Sequence, residues 1–284
     1  MVSQPFHSQP VAFPNGTLLS GRYRLLREIG RGPAATVYLA LDTRQGIEVA
    51  VRAVRLGAQD QARLRQEVFA AWDLVHDHIV PVHGCFEEGE FSCLVLEHVP
   101  GPDLGRRVTD MGPLSADEAA AVGRGIGLAL RAAHRRGRLH RHVTPGNVLI
   151  APETRALLAD FGAAGLGAPR GSGQDYAAPE VLAGQPADAR SDVYSLGMCL
   201  FFGLTGRLPA RQLPERPPLP AADGHHPGRL VPTIPDWLDE AVAAATAALP
   251  ADRYPSAGRF AEVLTPVRGS GPFRIDPAPV IVRS

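Results

Sequence analysis

The spacing of apolar positions divides the chain into a strand-rich part followed by a helical part. In the first part, short apolar and β-branched segments alternate with glycines, which predicts strands. The five predicted strands are residues 23–29, 36–41, 47–54, 80–87 and 91–99. Apolar residues at spacings of three and four predict one helix over 58–75, with Leu64, Val68, Ala71 and Val75 on its buried face. These elements predict a small β-rich lobe over residues 16–99, preceded by a tail over residues 1–15.

The segment Pro100-Gly101-Pro102 is a break, and the chain is predicted to be helical from there to residue 264. The predicted helices are residues 116–136, 191–204, 236–248 and 255–264. A capping box at Ser115 begins the first of them, and a proline-rich segment over 208–235 predicts an irregular linker. Residues 265–284 read as a tail whose Val280-Ile281-Val282 is either disordered or adds a strand to a sheet edge.

Composition narrows the class of protein. The 284 residues are 45% hydrophobic and 20% charged with zero formal net charge, so we expect no nucleic-acid partner. No apolar run has membrane-spanning length and no signal-peptide pattern is present, so we expect a soluble, cytoplasmic protein with no membrane partner. Cys85 and Cys93 could face each other across a hairpin, but all three cysteines are expected to be reduced core thiols. All 29 basic residues are arginines, so every expected lysine position must be filled by something else.

Two motifs stand on the predicted strands. Gly30-Arg31-Gly32-Pro33-Ala34-Ala35-Thr36-Val37 is a glycine-containing turn that is typical of a phosphate-covering loop, although a plain hairpin explains it equally well. Val49-Ala50-Val51-Arg52 places a cation on the third strand, and Glu67 on the predicted helix is its candidate partner. A surface arginine and a surface glutamate are the simpler interpretation of that pair.

Three further motifs stand in the helical part. His140, Arg141, His142 and Asn147 belong to one loop that precedes a short apolar strand. Asp160-Phe161-Gly162 begins 13 residues after Asn147 with the predicted strand 156–158 between them, and Ala178-Pro179-Glu180 follows. Each triplet alone is weak, but their order and spacing together are specific.

These motifs resemble, in family order and at family distances, those of the protein kinases, and most closely the bacterial Hanks-type serine/threonine kinases. The resemblance covers residues 21–264. It implies an α+β, two-lobed protein-kinase fold, with a β-rich N-lobe carrying one helix and a mostly helical C-lobe. It also implies ATP in the cleft between the lobes, with Mg²⁺ held by Asn147 and Asp160.

The resemblance assigns the remaining site residues. Nucleotide contacts fall on Ile29, Gly30, Gly32, Val37, Ala50, Arg52, Glu97, Val99 and Leu149. The catalytic positions fall on His142, Thr144, Arg52 and Glu67. Two scaffold positions are also matched: Asp192 should brace the catalytic loop, and Arg253 should pair with Glu180.

The departures from the family pattern concentrate where the phosphate and the accepting hydroxyl would lie. His142 replaces the catalytic aspartate, Thr144 and Arg52 replace lysines, and Ala35 replaces the third glycine. Pro33 removes one N–H from the loop. We therefore favour a pseudokinase that binds a protein partner and retains weak Mg²⁺-dependent ATP binding. The alternative is a weakly active or atypical ATP-dependent kinase in which His142 serves as the base; the simplest interpretation of His142 is a loop histidine without a chemical role.

Overall fold

The structure is a computed structural model that describes residues 13–32, 35–152, 155–161, 173–208 and 224–265. Within helices, the side chains of residues 58, 67, 70 and 71 are not described. The predictions for Pro33, for the segment 162–172, for most of the proline-rich segment and for the strand-prone tail therefore lie outside the described residues.

A six-stranded antiparallel sheet forms the N-lobe. Its strands are β1 (Leu18–Leu19), β2 (Tyr23–Arg31), β3 (Ala35–Asp42), β4 (Ile47–Arg55), β5 (Val82–Glu88) and β6 (Phe91–Glu97). The spatial order is β1-β2-β3-β4-β6-β5. The five predicted strands are confirmed, and β1 is an addition, since two residues are too few to produce a periodic pattern.

Successive side chains of a strand point to opposite faces of the sheet, and in this sheet both faces carry apolar side chains. One face buries Tyr38 and Val51 beneath the N-terminal segment, whose Phe13 packs edge-on against Phe91. The other face buries Ala50 and faces helix α1 (Ala58–Ala71) together with the C-lobe. The second face is therefore the roof of an interlobe cleft.

Helix α1 is shorter than predicted. It ends at Ala71 with Trp72 as its C-cap, and Val75, expected on the apolar face, is 85% exposed. The chain leaves the helix early and buries Leu74 instead. It then forms a bridge from Ile79 to Leu158 in the C-lobe, so a contact between lobes overrides the helical period.

Six helices and a two-stranded hairpin make up the described C-lobe. The helices are α2 (Leu104–Met111), α3 (Ala116–His134), α4 (Pro179–Leu182), α5 (Ala189–Thr205), α6 (Asp236–Ala245) and α7 (Ala257–Val263). The hairpin strands are β7 (Val148–Ile150) and β8 (Ala156–Leu158). The predicted capping box of α3 at Ser115 is present, and α5 is buried on most sides as expected. None of the helices in the described part of the chain combines the length and apolarity needed to cross a membrane.

Local hydrogen bonds move several helix ends from their predicted positions. Helix α6 ends at Ala245 with Thr246 as its C-cap, and the Thr246 hydroxyl accepts a hydrogen bond from the His225 N–H. Helix α3 ends at His134, just before Gly137 with its φ of +71°. Helix α7 begins after Ser256, whose hydroxyl accepts a hydrogen bond from the Arg259 N–H.

The linker between the lobes packs closely on β7. The backbone φ of Gly101 is +133°, and a Cβ there would lie 2.1 Å from the Ile150 carbonyl oxygen, so only glycine fits. The Ile150 N–H donates to the Pro102 carbonyl one residue further on. This contact holds the β7–β8 hairpin beneath the N-lobe sheet.

The cysteines are free thiols, as expected. Cys85 lies opposite Leu94 and Cys93 lies opposite Phe86, so the two cysteines are not directly paired across the hairpin. Burial raises the pKa of the Cys93 thiol to about 12, which keeps it protonated and unreactive at neutral pH.

Candidate functional site

The predicted adenine-site residues lie in one apolar cluster between the lobes. Ala50 and Val99 are buried in it, and Ile29, Val37 and Leu149 pack against it half-buried. Their side chains come from β2, β3, β4, β7 and the linker after β6. Glu97 ends β6, and its N–H donates to the Pro81 carbonyl. The sheet and the hairpin therefore both contribute apolar side chains to one cluster at the cleft, which is the kind of lining that an adenine needs.

The glycine-containing turn joins β2 to β3. Gly32 N–H donates to the Ala35 carbonyl, and Gly30 lies opposite Val37 in the strand register. A Cβ on Gly30 would come no closer than 3.8 Å to Val37, which is ordinary contact. The described part of this turn is therefore a hairpin that does not itself require glycine at position 30.

Arg52 contacts Asp160. Its Nε lies 3.3 Å from the Asp160 Oδ2, and both side chains are largely buried, at 13% and 15% exposure. The buried Nη1 of Arg52 has no hydrogen-bond partner among the described residues. Glu67 lies in α1, but its side chain is not described, so the Arg52–Glu67 pair stays a prediction.

Asp160 is held in an unusual backbone conformation. Its φ is +66°, in the left-handed region that non-glycine residues rarely occupy. The next side chain, Phe161, is buried edge-on against His140 with ring centroids 4.6 Å apart. The buried Phe161 therefore anchors the backbone next to Asp160, and a left-handed conformation of this kind is common in functional sites.

The loop before β7 is anchored by Asp192 on α5. The buried Asp192 carboxylate accepts hydrogen bonds from the backbone N–H of His140 at 2.8 Å and of Arg141 at 2.7 Å. Its Oδ2 also bonds the His134 Nε2 at 2.8 Å. Arg141 itself has a φ of +65°. The predicted bracing role of Asp192 is confirmed.

His140 ties this loop to the strand that leads to Asp160. Its Nε2 donates to the Ala159 carbonyl at 2.8 Å, and its Nδ1 accepts from the His142 N–H at 3.2 Å. Burial lowers the pKa of His140, which favours the neutral imidazole that these two bonds require. His140 is therefore a positioning residue.

Both ring nitrogens of His142 are covered. The Asn147 side-chain amide donates to the His142 Nδ1 at 3.2 Å and to the His142 carbonyl at 2.9 Å. The Nε2 is buried from solvent. Gly173, with a φ of +73°, lies against it, since a Cβ there would be 2.6 Å from the Nε2. In this arrangement neither nitrogen is open to a substrate hydroxyl.

The two expected Mg²⁺ ligands lie on adjacent segments. The Ala159 N–H donates to the Asn147 carbonyl at 2.9 Å, which brings Asn147 beside the residue preceding Asp160. Because both His142 bonds use the Asn147 amide nitrogen, its amide oxygen remains the acceptor end of the side chain. A carboxylate and an amide oxygen are the donor types that Mg²⁺ takes, so the residues fit this ion.

Thr144 supplies no charge to the site. Its carbonyl accepts the Asn147 N–H at 3.0 Å, and its Cγ2 would lie 3.1 Å from a Cβ on Gly173. The expected lysine at this position would place a cation beside the transferred phosphate. Here the position carries a short polar side chain that packs under the Gly173 segment.

Glu180 and Arg253 form a buried pair beneath the site. Two Arg253 nitrogens donate to the two Glu180 oxygens at 2.8 Å each, with the side chains 0% and 8% exposed. Burial alone would raise the pKa of Glu180, but the bonds from Arg253 and Ser191 outweigh it and the pKa is lowered. The predicted pairing of Arg253 is confirmed.

Sequence reasoning missed two contacts at the site. Gly173 was not singled out, because its role depends on a long-range approach to His142 that no local pattern encodes. Arg106, on the unpredicted helix α2, donates from Nη1 to the Ile29 carbonyl at 3.3 Å and so links the lobes at the cleft. An arginine on an exposed helix face has no sequence pattern that would predict a hydrogen bond to the other lobe.

Comparisons with known proteins agree with this geometry. A model of the protein kinase domain matches residues 23–218. The chain is 36% identical over 262 residues to the serine/threonine-protein kinase PknD of Mycobacterium tuberculosis, covering 85% of this chain and 39% of PknD. It is 34% identical over 258 residues to PrkC of Bacillus subtilis, covering 85% of this chain and 40% of PrkC. The chain thus spans about two fifths of the length of these relatives.

The solved structures give the same fold. A structure of Rad53 in complex with AMP-PNP superposes with a TM-score of 0.74 at 25% identity, covering 86% of this chain and 66% of that one. The predicted two-lobed fold and the resemblance to bacterial Hanks-type kinases are both confirmed. The chain belongs to the protein kinase family.

Proposed function

We propose that this chain is a pseudokinase, which binds Mg²⁺ and ATP weakly and regulates a protein partner. The observation that carries the proposal is the covering of His142. A general base must come within hydrogen-bond reach of the proton that it removes. The Nδ1 of His142 takes its hydrogen bond from Asn147, and its Nε2 is buried beneath Gly173.

Nucleotide binding is supported independently of catalysis. The apolar cluster at the cleft and the oxygen ligands Asn147 and Asp160 together suit an adenine and a Mg²⁺ ion. The AMP-PNP bound to Rad53 favours ATP as the nucleotide. Arg52 holds Asp160 through Nε, so it can offer a phosphate only part of its guanidinium. We therefore expect weak binding.

The second candidate is a weakly active ATP-dependent serine/threonine protein kinase. The names of PknD and PrkC favour that activity, and Asn147 and Asp160 retain the oxygen donors for Mg²⁺. In this case a displacement of the Gly173 segment would uncover His142 and allow it to accept a proton.

Phosphotransfer assays separate the two candidates. The full chain is incubated with radiolabelled ATP, Mg²⁺ and generic protein substrates, alongside Asp160→Ala. The proposal predicts no incorporation above that of Asp160→Ala, together with a thermal shift of the wild type at millimolar ATP. Incorporation that Asp160→Ala abolishes would refute the pseudokinase, and a further loss in His142→Ala would identify His142 as the base.

A further inference from the structure

A cavity of about 400 Å³ lies in the C-lobe between the last turn of α3, the start of α5 and the first turns of α7. It shares no residue with the nucleotide site. Its polar lining is Arg131, His134, Arg135, Ser256, Arg259 and Glu262. His134 in its wall bonds Asp192, the residue that anchors the catalytic loop.

The cavity carries unmatched positive charge. Arg259 pairs with Glu262 at 2.8 Å, which neutralises one of the three arginines. Within the described part of the chain, the guanidinium groups of Arg131 and Arg135 form no ion pair and no hydrogen bond. Two guanidinium groups in one cavity repel each other, so an anion that enters would be attracted by both.

The position of Arg131 depends on a glycine in the neighbouring helix. A Cβ on Gly258 would lie 2.6 Å from the Arg131 Cδ and 3.2 Å from its Cγ. The hydrocarbon stem of Arg131 therefore lies directly on the backbone of α7. This packing reduces the freedom of the stem and keeps its guanidinium at the cavity, which lowers the entropy lost on binding.

A simpler explanation covers only part of this cluster. Arginines at the C-terminal end of a helix are favoured by the helix dipole, and that accounts for Arg131 in the last turn of α3 and Arg135 at its C-cap. It does not explain why Arg131 and Arg135 lack a carboxylate partner among the described residues, while Arg259 on the first turn of α7 pairs with Glu262. These two unmatched guanidinium groups are the ones available to an anion.

We propose that this cavity binds a phosphomonoester, with Arg131 and Arg135 gripping the phosphate oxygens. The planar guanidinium matches phosphate with two parallel N–H donors. The Ser256 hydroxyl already accepts the Arg259 N–H and has its own hydrogen to donate. A cavity of about 400 Å³ leaves room beyond the phosphate for the group that carries it. That group is either a phosphorylated protein side chain or a small phosphorylated metabolite.

The test is calorimetric titration of the full chain with O-phosphoserine at low ionic strength and without ATP. Arg131→Gln/Arg135→Gln should weaken binding at least tenfold, since each loses a charge-assisted hydrogen bond worth about a factor of ten or more. The matched control is Arg124→Gln, an exposed arginine on the same helix outside the cavity, which should change affinity less than about twofold. Because Arg135 is exposed, Arg135→Gln alone should fold even if the double variant does not, so this single variant still tests the contact.

Repeating the titration in an Arg52→Met background separates this cavity from the nucleotide site, so the result does not depend on the proposed function. A phosphoserine peptide that binds more tightly than glucose 6-phosphate identifies a phosphoprotein as the source, and the reverse order identifies a metabolite. Absence of phosphoserine binding at millimolar concentration by the folded chain overturns the proposal. Equal weakening by Arg124→Gln and Arg131→Gln/Arg135→Gln overturns it as well.

Discussion

Arg52 on β4 and Asp160 after β8 join the two lobes through an ion pair of 3.3 Å. The cation comes from the sheet that roofs the cleft, and the carboxylate belongs to the pair of oxygen ligands that suits Mg²⁺. Because both side chains are largely buried, either charge left alone would be costly. Arg52 therefore balances Asp160 through Nε, and its buried Nη1 would have to be uncovered before it could bind a phosphate.

Replacing Arg52 by methionine should weaken Mg²⁺-dependent ATP binding. The loss of one charge-assisted hydrogen bond to a phosphate corresponds to about a ten- to hundredfold change in the dissociation constant. Binding of adenosine, which has no phosphate, should change little. The measurement is a thermal-shift titration with each ligand, with Arg55→Met as the control, since that half-buried arginine on the same strand pairs with Glu90 and lies over the Phe91 ring. Unchanged ATP affinity in Arg52→Met would show that Arg52 does not contact the nucleotide.

The sequence predicted the residues of this site better than their contacts. The kinase-like spacing placed Arg52 on its strand and Asp160 after the hairpin, and both positions are as expected. The ion pair of Arg52 with Asp160 was not predicted, and the predicted pair with Glu67, whose side chain is not described, stays a prediction. Partner choice depends on how the lobes close over each other, and no pattern along one strand contains that information.

The buried Glu180–Arg253 pair should be a main determinant of stability. Arg253→Met leaves the Glu180 carboxylate buried without its cation, so the free energy of unfolding should fall by about 3–5 kcal/mol. Arg65→Met, which removes an exposed pair with Glu87, should cost no more than about 1 kcal/mol. Urea unfolding monitored by circular dichroism gives both values. Equal losses in the two variants would contradict the structural role assigned to Arg253.

The Arg22–Asp42 pair should make stability depend on pH in acid. Hydrogen bonds from Arg22 hold the pKa of the buried Asp42 at about 2, below its ordinary 3.8. A carboxyl whose pKa is lowered by folding stabilises the fold above its unfolded-state pKa and loses that contribution as pH falls through its folded-state pKa. The depression corresponds to about 2 kcal/mol at neutral pH.

Asp42→Asn should accordingly lower the free energy of unfolding by about 2 kcal/mol at pH 7. The difference between wild type and variant should shrink between pH 4 and pH 2, the window set by the two pKa values. Urea unfolding at pH 7, 4, 3 and 2 tests this, with Asp110→Asn as an exposed control. A difference that stays constant down to pH 3 and below would mean that the Asp42 charge is not its source.

Helices with a long local sequence pattern were predictable. Helices and helix ends that depend on tertiary contacts were missed. The capping box at Ser115 and the long apolar helix α5 were evident from the sequence. Helix α2 has only eight residues, between the linker and Gly112, which is too short for a periodic signal. Val75 fits a helical period but is exposed, because the chain turns to reach the C-lobe. The covering of His142 by Gly173 joins residues that are far apart in sequence, so only the fold reveals it.

Restoring the two lost catalytic groups should restore phosphotransfer. His142→Asp supplies a smaller, anionic base beneath the Gly173 segment, and Asn147 would keep its bond to the backbone carbonyl of residue 142. Thr144→Lys supplies a cation for the transferred phosphate. General-base assistance is worth about a hundred- to ten-thousandfold in rate. Incorporation of radiolabelled phosphate should therefore rise at least a hundredfold above wild type in the double variant.

The matched control for this restoration is His142→Asn/Thr144→Lys, because asparagine has the size of aspartate without its charge. It should bind ATP as the aspartate variant does in a thermal-shift titration, yet transfer no phosphate. That difference would locate the defect of the wild type in the missing carboxylate and not in nucleotide binding. If the aspartate and asparagine variants transfer phosphate equally, the base is not at position 142. If both stay inactive while binding ATP, the barrier lies in the segment around Gly173 that covers the site.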